Sequence, residues 1–295
     1  MKAGLIGDEL GPRGRRRTRV ATVVAGTVLA AVVVVAVRRF AAEGQLNGEL
    51  WAPLADPAVL RFLLGGLANT LKAAAVAMAG AVAVGALMAL SRLAQNRPLR
   101  WAAGVYVEFF RGFPLLLLIL FSAFGLPRLG VDLPLFWYLV LGLAVYNSAV
   151  LAEVFRAGIL SLDRGQSEAA YAVGLTYRQA MATVVLPQAL RRMVPAIVSQ
   201  LVTLLKDTSL GFFIQFEELL RRGQLTGGFD GNLLQALLAV AAIYIAVNLV
   251  LSRLARRLEV RQRRRLGAGG IDVTGGPEDL VVVDTQHLQM GGGGV

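Results

Sequence analysis

Residues 161–200 read SLDRGQSEAAYAVGLTYRQAMATVVLPQALRRMVPAIVSQ. The stretch is too broken by charge to cross a membrane and too regular to be a plain loop. Asp163, three residues before Gln166, is placed to cap a first helix through Glu168, Ala169 and Ala170. Gly174 is placed to end that helix, because glycine reaches the left-handed C-cap conformation without a Cβ clash. Thr176 and Gln179 form a T-x-x-Q capping box that starts a second helix at once. Pro187 resets the chain again before the next apolar run. The pattern predicts a compact helix-turn-helix knob at a membrane surface.

The chain around this knob is apolar on a membrane scale. Of its 295 residues, 56% are hydrophobic and only 17% are charged, and the mean hydropathy is +0.62. A soluble domain carries about 25% charged residues. Apolar runs of about 20 residues, enough to cross ~30 Å of hydrocarbon, fall at 20–37, 67–90, 101–124, 135–156, 193–213 and 233–254. The expectation is an all-α polytopic bundle of about six spans. An even number of spans puts both termini on one side. The largest basic clusters, Arg13 to Arg19 and Arg253 to Arg265, make that side the cytoplasm of a cell membrane and are placed to meet anionic lipid. Residues 1–19 are expected to be disordered, 20–37 to be an uncleaved anchor, and 216–231 to be a polar external segment.

Composition also excludes chemistry. With no cysteine, and a single histidine (His287) in a glycine-rich tail, the spans hold neither a histidine-based triad nor a zinc site. None of the lysines Lys2, Lys72 and Lys206 follows a glycine, so the Gly-Lys step of a phosphate-cradling loop is absent. The chain is read as a non-enzyme that binds no cofactor or metal. The net charge of +11 sits beside spans rather than among base-stacking aromatics, which argues against nucleic acid.

Glu168-Ala169-Ala170, then Gly174, then Val184, Leu186 and Pro187 resemble the EAA signature of binding-protein-dependent ABC importer permeases, Val184 standing where isoleucine is usual. Arg156-Ala157-Gly158-Ile159 and Gly165-Gln166 before it, and Lys206-Asp207-Thr208-Ser209-Leu210 after it, look like the polar-amino-acid branch. Gly66 to Leu71 resembles the start of the permease core, and Phe109 to Pro114 resembles F-R-G-T-P with Phe113 in place of threonine. Within the branch the chain looks most like permeases of glutamate uptake systems with an added first span.

The resemblance implies a type I ABC importer permease domain over 64–256, its coupling loop at 161–192. Residues 1–63 (basic N-terminus, extra span and external linker) and 257–295 (basic, then low-complexity tail) lie outside it. It implies a coupling loop of Glu168, Ala169, Ala170, Gly174, Leu186 and Pro187, seated on an ATPase subunit that uses the ATP. It also implies a second permease subunit and an extracytoplasmic substrate-binding protein.

Charges inside spans are costly, roughly 2.5–3.5 kcal/mol each on insertion scales, and usually functional. Glu108 and Arg111, like Glu153 and Arg156, stand three apart and can share a helix face. Adjacent Lys206 and Asp207 cannot neutralise each other across a helix face, so either the helix breaks there or each has another partner. The expectation is a translocation path lined by Lys206, Asp207, Thr208 and Ser209, with Asn147, Ser148, Glu153 and Arg111. The rival reading is an ion-coupled secondary transporter of small polar solutes. Such folds commonly carry internal repeats, and none is seen here.

Overall fold

The computed structural model describes residues 11–267. Eleven α-helices run in the order α1 Pro12–Ala42, α2 Gly48–Trp51, α3 Pro57–Leu93, α4 Arg97–Gly112, α5 Leu115–Gly125, α6 Leu135–Leu160, α7 Arg164–Ala172, α8 Tyr177–Ala180, α9 Leu186–Asp207, α10 Leu219–Phe229 and α11 Leu233–Gly267. No strand occurs among the described residues. Among the described residues, five helical segments are long and apolar enough to cross a membrane, or six crossings if the bent pair α4–α5 is one. The chain divides into one unit reaching to Arg156 together with Gln200–Leu249, and a second of Ala157–Ser199 and the segment from Val250.

Several expectations are revised by local chemistry. The run 101–124 is not one straight span: α4 and α5 meet at 99°. Phe113 precedes Pro114 and is held extended, at φ −85° and ψ 134°, as steric contact with a proline ring demands. Residues 12–19, expected to be disordered, are already helical. Pro12 at the helix start and a run of arginines favour that state. The polar segment 216–231 contains a helix, α10, packed on α3. The last helix continues beyond its apolar part through the arginine run to Gly267. The glycine-rich, low-complexity tail from 268 lies outside the described residues.

In the first unit small residues set the helix spacing. Asp56 caps α3 by accepting from the Ala58 amide at 2.6 Å. Gly66, Ala73, Ala74, Ala77, Ala81, Gly85 and Ala89 are its buried face. A Cβ on Gly85 would sit 2.9 Å from the Ser148 carbonyl oxygen of α6, and one on Gly66 would sit 3.0 Å from Leu219 Cα of α10. Helices in lipid gain from such approach because no hydrophobic force drives them together. Leu63, Leu219 and Val240 close the core between α3, α10 and α11. By contrast, none of the apolar stretch of α1 is buried. Its attachment is at its far end. Asn232 Nδ2 donates to the Leu50 carbonyl at 2.8 Å, and Gln235 Nε2 donates to the Gln45 carbonyl at 2.7 Å.

Candidate functional site

The second unit carries the signature stretch. Asp163 caps α7 by accepting from the Gly165 amide at 2.8 Å. The helix ends at Ala172, and Gly174 turns the chain at φ +84°. L side chains rarely adopt that conformation, so the glycine is required by the turn itself. Thr176 and Gln179 form both halves of a capping box at the start of α8. These features match the expected caps. The exit differs: α8 is only four residues long and passes through a π-helical turn, Met181–Val185, directly into α9. The wide turn ends just before Pro187, where a regular α-helical carbonyl four residues back would meet the proline ring. Pro187 therefore does not reset the chain. It follows a bulge that keeps the helix continuous.

Glu168 and Ala169 are exposed, while Ala170 is buried where α7 packs on the π-helical turn. Leu186 is half-buried and Pro187 exposed. The base of the loop is fastened three times. Arg192 Nη1 donates to the Ser161 carbonyl at 2.8 Å, and Gln188 Nε2 donates to Gln166 Oε1 at 3.1 Å. The Met193 side chain fills the place a Cβ on Gly158 would take. The result is a small exposed surface of Glu168, Ala169, Tyr171 and Val173 on a braced root. Val173 is 77% exposed.

In the first unit, the ion pairs do not form as two separate i,i+3 pairs. Glu153 is a hub: Arg156 Nη2 reaches Oε1 at 2.5 Å, Arg92 Nη1 reaches Oε2 at 2.6 Å, and Arg111 Nη1 stands 3.9 Å away. Arg92 also approaches Glu108 at 3.6 Å. Three guanidiniums thus surround two carboxylates from α3, α4 and α6. Such mutual pairing is how ionised groups persist beside hydrocarbon. Glu153–Arg156 pairs as its spacing predicts, whereas Glu108 and Arg111 each reach across to another helix. Arg92, which the spacing of charges within a helix does not single out, is a central member.

The four polar residues at the end of α9 lie at a structural break. The α-helix stops at Asp207 and Thr208–Ile214 continues as 3-10 helix. Of the two alternatives posed by adjacent Lys206 and Asp207, the first holds: the helix breaks. Lys206 is exposed and Asp207 half-buried. Thr208 is buried and donates to the Leu205 carbonyl at 2.6 Å; Ser209 donates to the Lys206 carbonyl at 2.8 Å. Asn147 and Ser148, fully buried on α6, have other partners. Gln200 Nε2 donates to Asn147 Oδ1 at 2.7 Å, and the Tyr106 and Ser148 hydroxyl oxygens lie 2.7 Å apart.

A second polar assembly was not anticipated. Glu218, with no exposed surface, caps α10 by accepting from the Leu220 and Arg221 amides, each at 2.7 Å. Tyr244 of α11 donates its hydroxyl to the same carboxylate at 2.8 Å. Thr70 of α3 accepts from the Leu219 amide at 3.1 Å. Burial raises the Glu218 pKa, while the two amides and the phenol pull it back. In the sequence Glu218 is one of two adjacent acids in a polar segment. The available signal was its place before Leu219-Leu220, as an N-cap rather than a surface charge.

Among the described residues no group of three or more His, Asp or Glu side chains is arranged to hold a metal. A family model described as binding-protein-dependent transport system inner membrane component matches residues 81–264. The chain is 38% identical over 231 residues to the glutamate transport system permease protein GluD of Corynebacterium glutamicum, covering 77% of this chain and 83% of that one. It is 43% identical to the probable glutamine ABC transporter permease protein GlnP of Bacillus subtilis, covering 69% and 94%. Among solved structures it is similar to a chain of an amino acid ABC transporter crystallised with histidines, at 33% identity and a TM-score of 0.65, covering 68% and 94%.

Proposed function

The chain belongs to the binding-protein-dependent transport system inner membrane components, and we propose that, as one of them, it is the permease of an importer for a polar amino acid, with glutamate the first candidate. Two relatives support the substrate class by their names, one a glutamate and one a probable glutamine permease. In this reading ATP is hydrolysed on separate subunits, and this chain binds no nucleotide. Two permease chains enclose one path, an extracytoplasmic protein delivers the substrate, and both termini are cytoplasmic. The permease domain is 64–256, with 1–63 and 257–295 as additions.

The observation that carries the reading is the braced, projecting loop. Glu168 and Ala169 are exposed on a short capped helix, and Gly174 holds the turn behind them. A pore worked by another subunit needs a stiff element that transmits that subunit's motion. Glu168, Ala169, Gly174, Leu186 and Pro187 serve as that element, Ala170 supporting it from within. Lys206, Asp207, Thr208, Ser209, Asn147, Ser148, Glu153 and Arg111 are proposed to line or gate the path. The Glu153 hub would keep its carboxylate paired with guanidiniums while helices move past it.

The test is uptake of radiolabelled glutamate into proteoliposomes holding the permease with its ATPase and binding protein. ATP-dependent accumulation is expected. Accumulation driven by a proton or sodium gradient without ATP would replace the reading with ion-coupled transport.

A further inference from the structure

An open groove of ≈590 Å³ runs between the first turns of α3 and the last turns of α10. Its walls are apolar, including Val59, Phe62 and Leu225, and its rim carries Asp56 and Asp230. Among the described residues no lysine or arginine lines it. Beside it, α10 leaves Leu225 40% and Phe229 92% exposed. These residues stand four apart and so share one helix face. α10 has eleven residues, too few to cross a membrane, and its end leaves the Phe229 ring bare. Large apolar side chains standing clear of the spans mark contact with another protein.

The groove is preformed. Val59 packs on the Leu63, Leu219 and Val240 core. Arg222 stacks over the Phe62 ring at 4.6 Å and donates to the Phe62 carbonyl at 2.9 Å. A Cβ on Gly227 would lie 2.5 Å from Leu233 Cα, so the end of α10 is pressed against the start of α11. Walls that do not move on binding spare a partner the cost of ordering them.

We propose that this groove is the seat of the extracytoplasmic binding protein. It would take a lysine or arginine of that protein, its stem along Val59 and Phe62 and its charge at Asp56 and Asp230, with Phe229 entering an apolar hollow opposite. The inference rests on the importer reading for the partner and for the side. The groove opens at the Leu233 end of α11, next to the 216–231 segment that the charge placement in the sequence puts outside. Charge selects the occupant. Two rim carboxylates, with the neighbouring Arg222 guanidinium already taken up by Glu217 at 3.1 Å and the Phe62 carbonyl at 2.9 Å, repel an anionic lipid headgroup and favour a basic protein surface, and long cationic side chains lay apolar stems on such walls.

The experiment uses the assembled transporter in nanodiscs and the binding protein encoded beside it, titrated while ATP hydrolysis is followed. For Phe229→Ala and Asp230→Lys the half-maximal concentration is expected to rise at least tenfold. Hydrolysis without binding protein and the thermal midpoint should stay unchanged. For the unmodified chain that concentration should rise with salt, since exposed charges are screened. Variants that respond as the unmodified transporter does would overturn the groove assignment and leave the importer reading standing. Loss of the permease pair on sizing would assign the groove to a second copy instead. An unmodified transporter with ATP-linked uptake but no response to binding protein would overturn the proposal, and absence of ATP-linked uptake would overturn the reading beneath it.

Discussion

The signature loop and the α3–α10–α11 junction both hold a glutamate at a short helix, and they use it in opposite ways. Glu168 lies in α7 and is exposed, while the capping of that helix is left to Asp163. Glu218 is the cap of α10, is fully buried, and has its acceptor capacity taken by two amides and a phenol. The loop is stiffened by what the backbone does locally: caps, a left-handed glycine and a π-helical turn. The junction is stiffened by what distant elements do to one another. An element that must present a surface keeps its side chains free and spends local geometry on shape. An element that must hold spans together does the reverse.

The largest effect is expected where the buried side of that contrast is cut. Glu218→Ala removes the acceptor of the Leu220 and Arg221 amides and of the Tyr244 hydroxyl. A buried donor left without a partner costs about 1–3 kcal/mol. The combined loss, on the order of 3 kcal/mol or more, is a large part of a membrane domain's margin. The variant should lose most of its monodisperse, detergent-extracted protein, or show a thermal midpoint well below that of the unmodified chain. Glu168→Ala, in the same assay, should leave both unchanged. If the two variants were equally stable, the contrast between the regions would fail.

A middle effect belongs to Gly174. At φ +84° an alanine carries a left-handed strain of about 1–2 kcal/mol, and no neighbouring atom lies within 4 Å of its Cβ. Stability should therefore fall only by that backbone cost. Uptake should fall much further, because the turn sets the direction in which Glu168 and Ala169 project. A Gly174→Asn variant should recover part of the uptake, since asparagine tolerates this conformation better than alanine. Equal uptake by Gly174→Ala and the unmodified chain would show that the loop's shape is not what the partner reads.

The two regions also differ in how much of them the sequence disclosed. Asp163, Gly174, Thr176 and Gln179 act on neighbours within a few residues, so their roles follow from spacing alone. Pro187 misled because a proline breaks a regular helix, and the π-helical turn that absorbs it leaves no residue signature. The bend at Phe113–Pro114 was legible in principle, since the residue before a proline is driven to extended backbone. The apolar run across it concealed the break. Glu218 pairs with Tyr244, twenty-six residues on, and Thr70 with the Leu219 amide, 149 residues away. Spacing carries no information about such partners. The Glu153 hub is intermediate: Arg156 was found by its i,i+3 spacing, but Arg92, sixty-one residues earlier, was not.

The smallest effect sharpens the buried side. Glu218 lies outside the spans, and burial holds its pKa above the ordinary 4.5. The folded chain therefore binds this proton more tightly than the unfolded chain, so folding is favoured while the group stays protonated. Stability from this group is full below 4.5 and is lost as pH rises through the raised folded value. Nearby Glu217, paired with Arg222 at 3.1 Å, stays paired whether residue 218 is glutamate or glutamine. The informative quantity is thus the difference in thermal midpoint between the unmodified chain and Glu218→Gln, followed upward from pH 4.5. The glutamine chain lacks the titrating group, so the difference should narrow as pH rises and level off above the folded value. A difference that widens with pH would mean that the two amides and the phenol outweigh burial, leaving the carboxylate a stabilised anion.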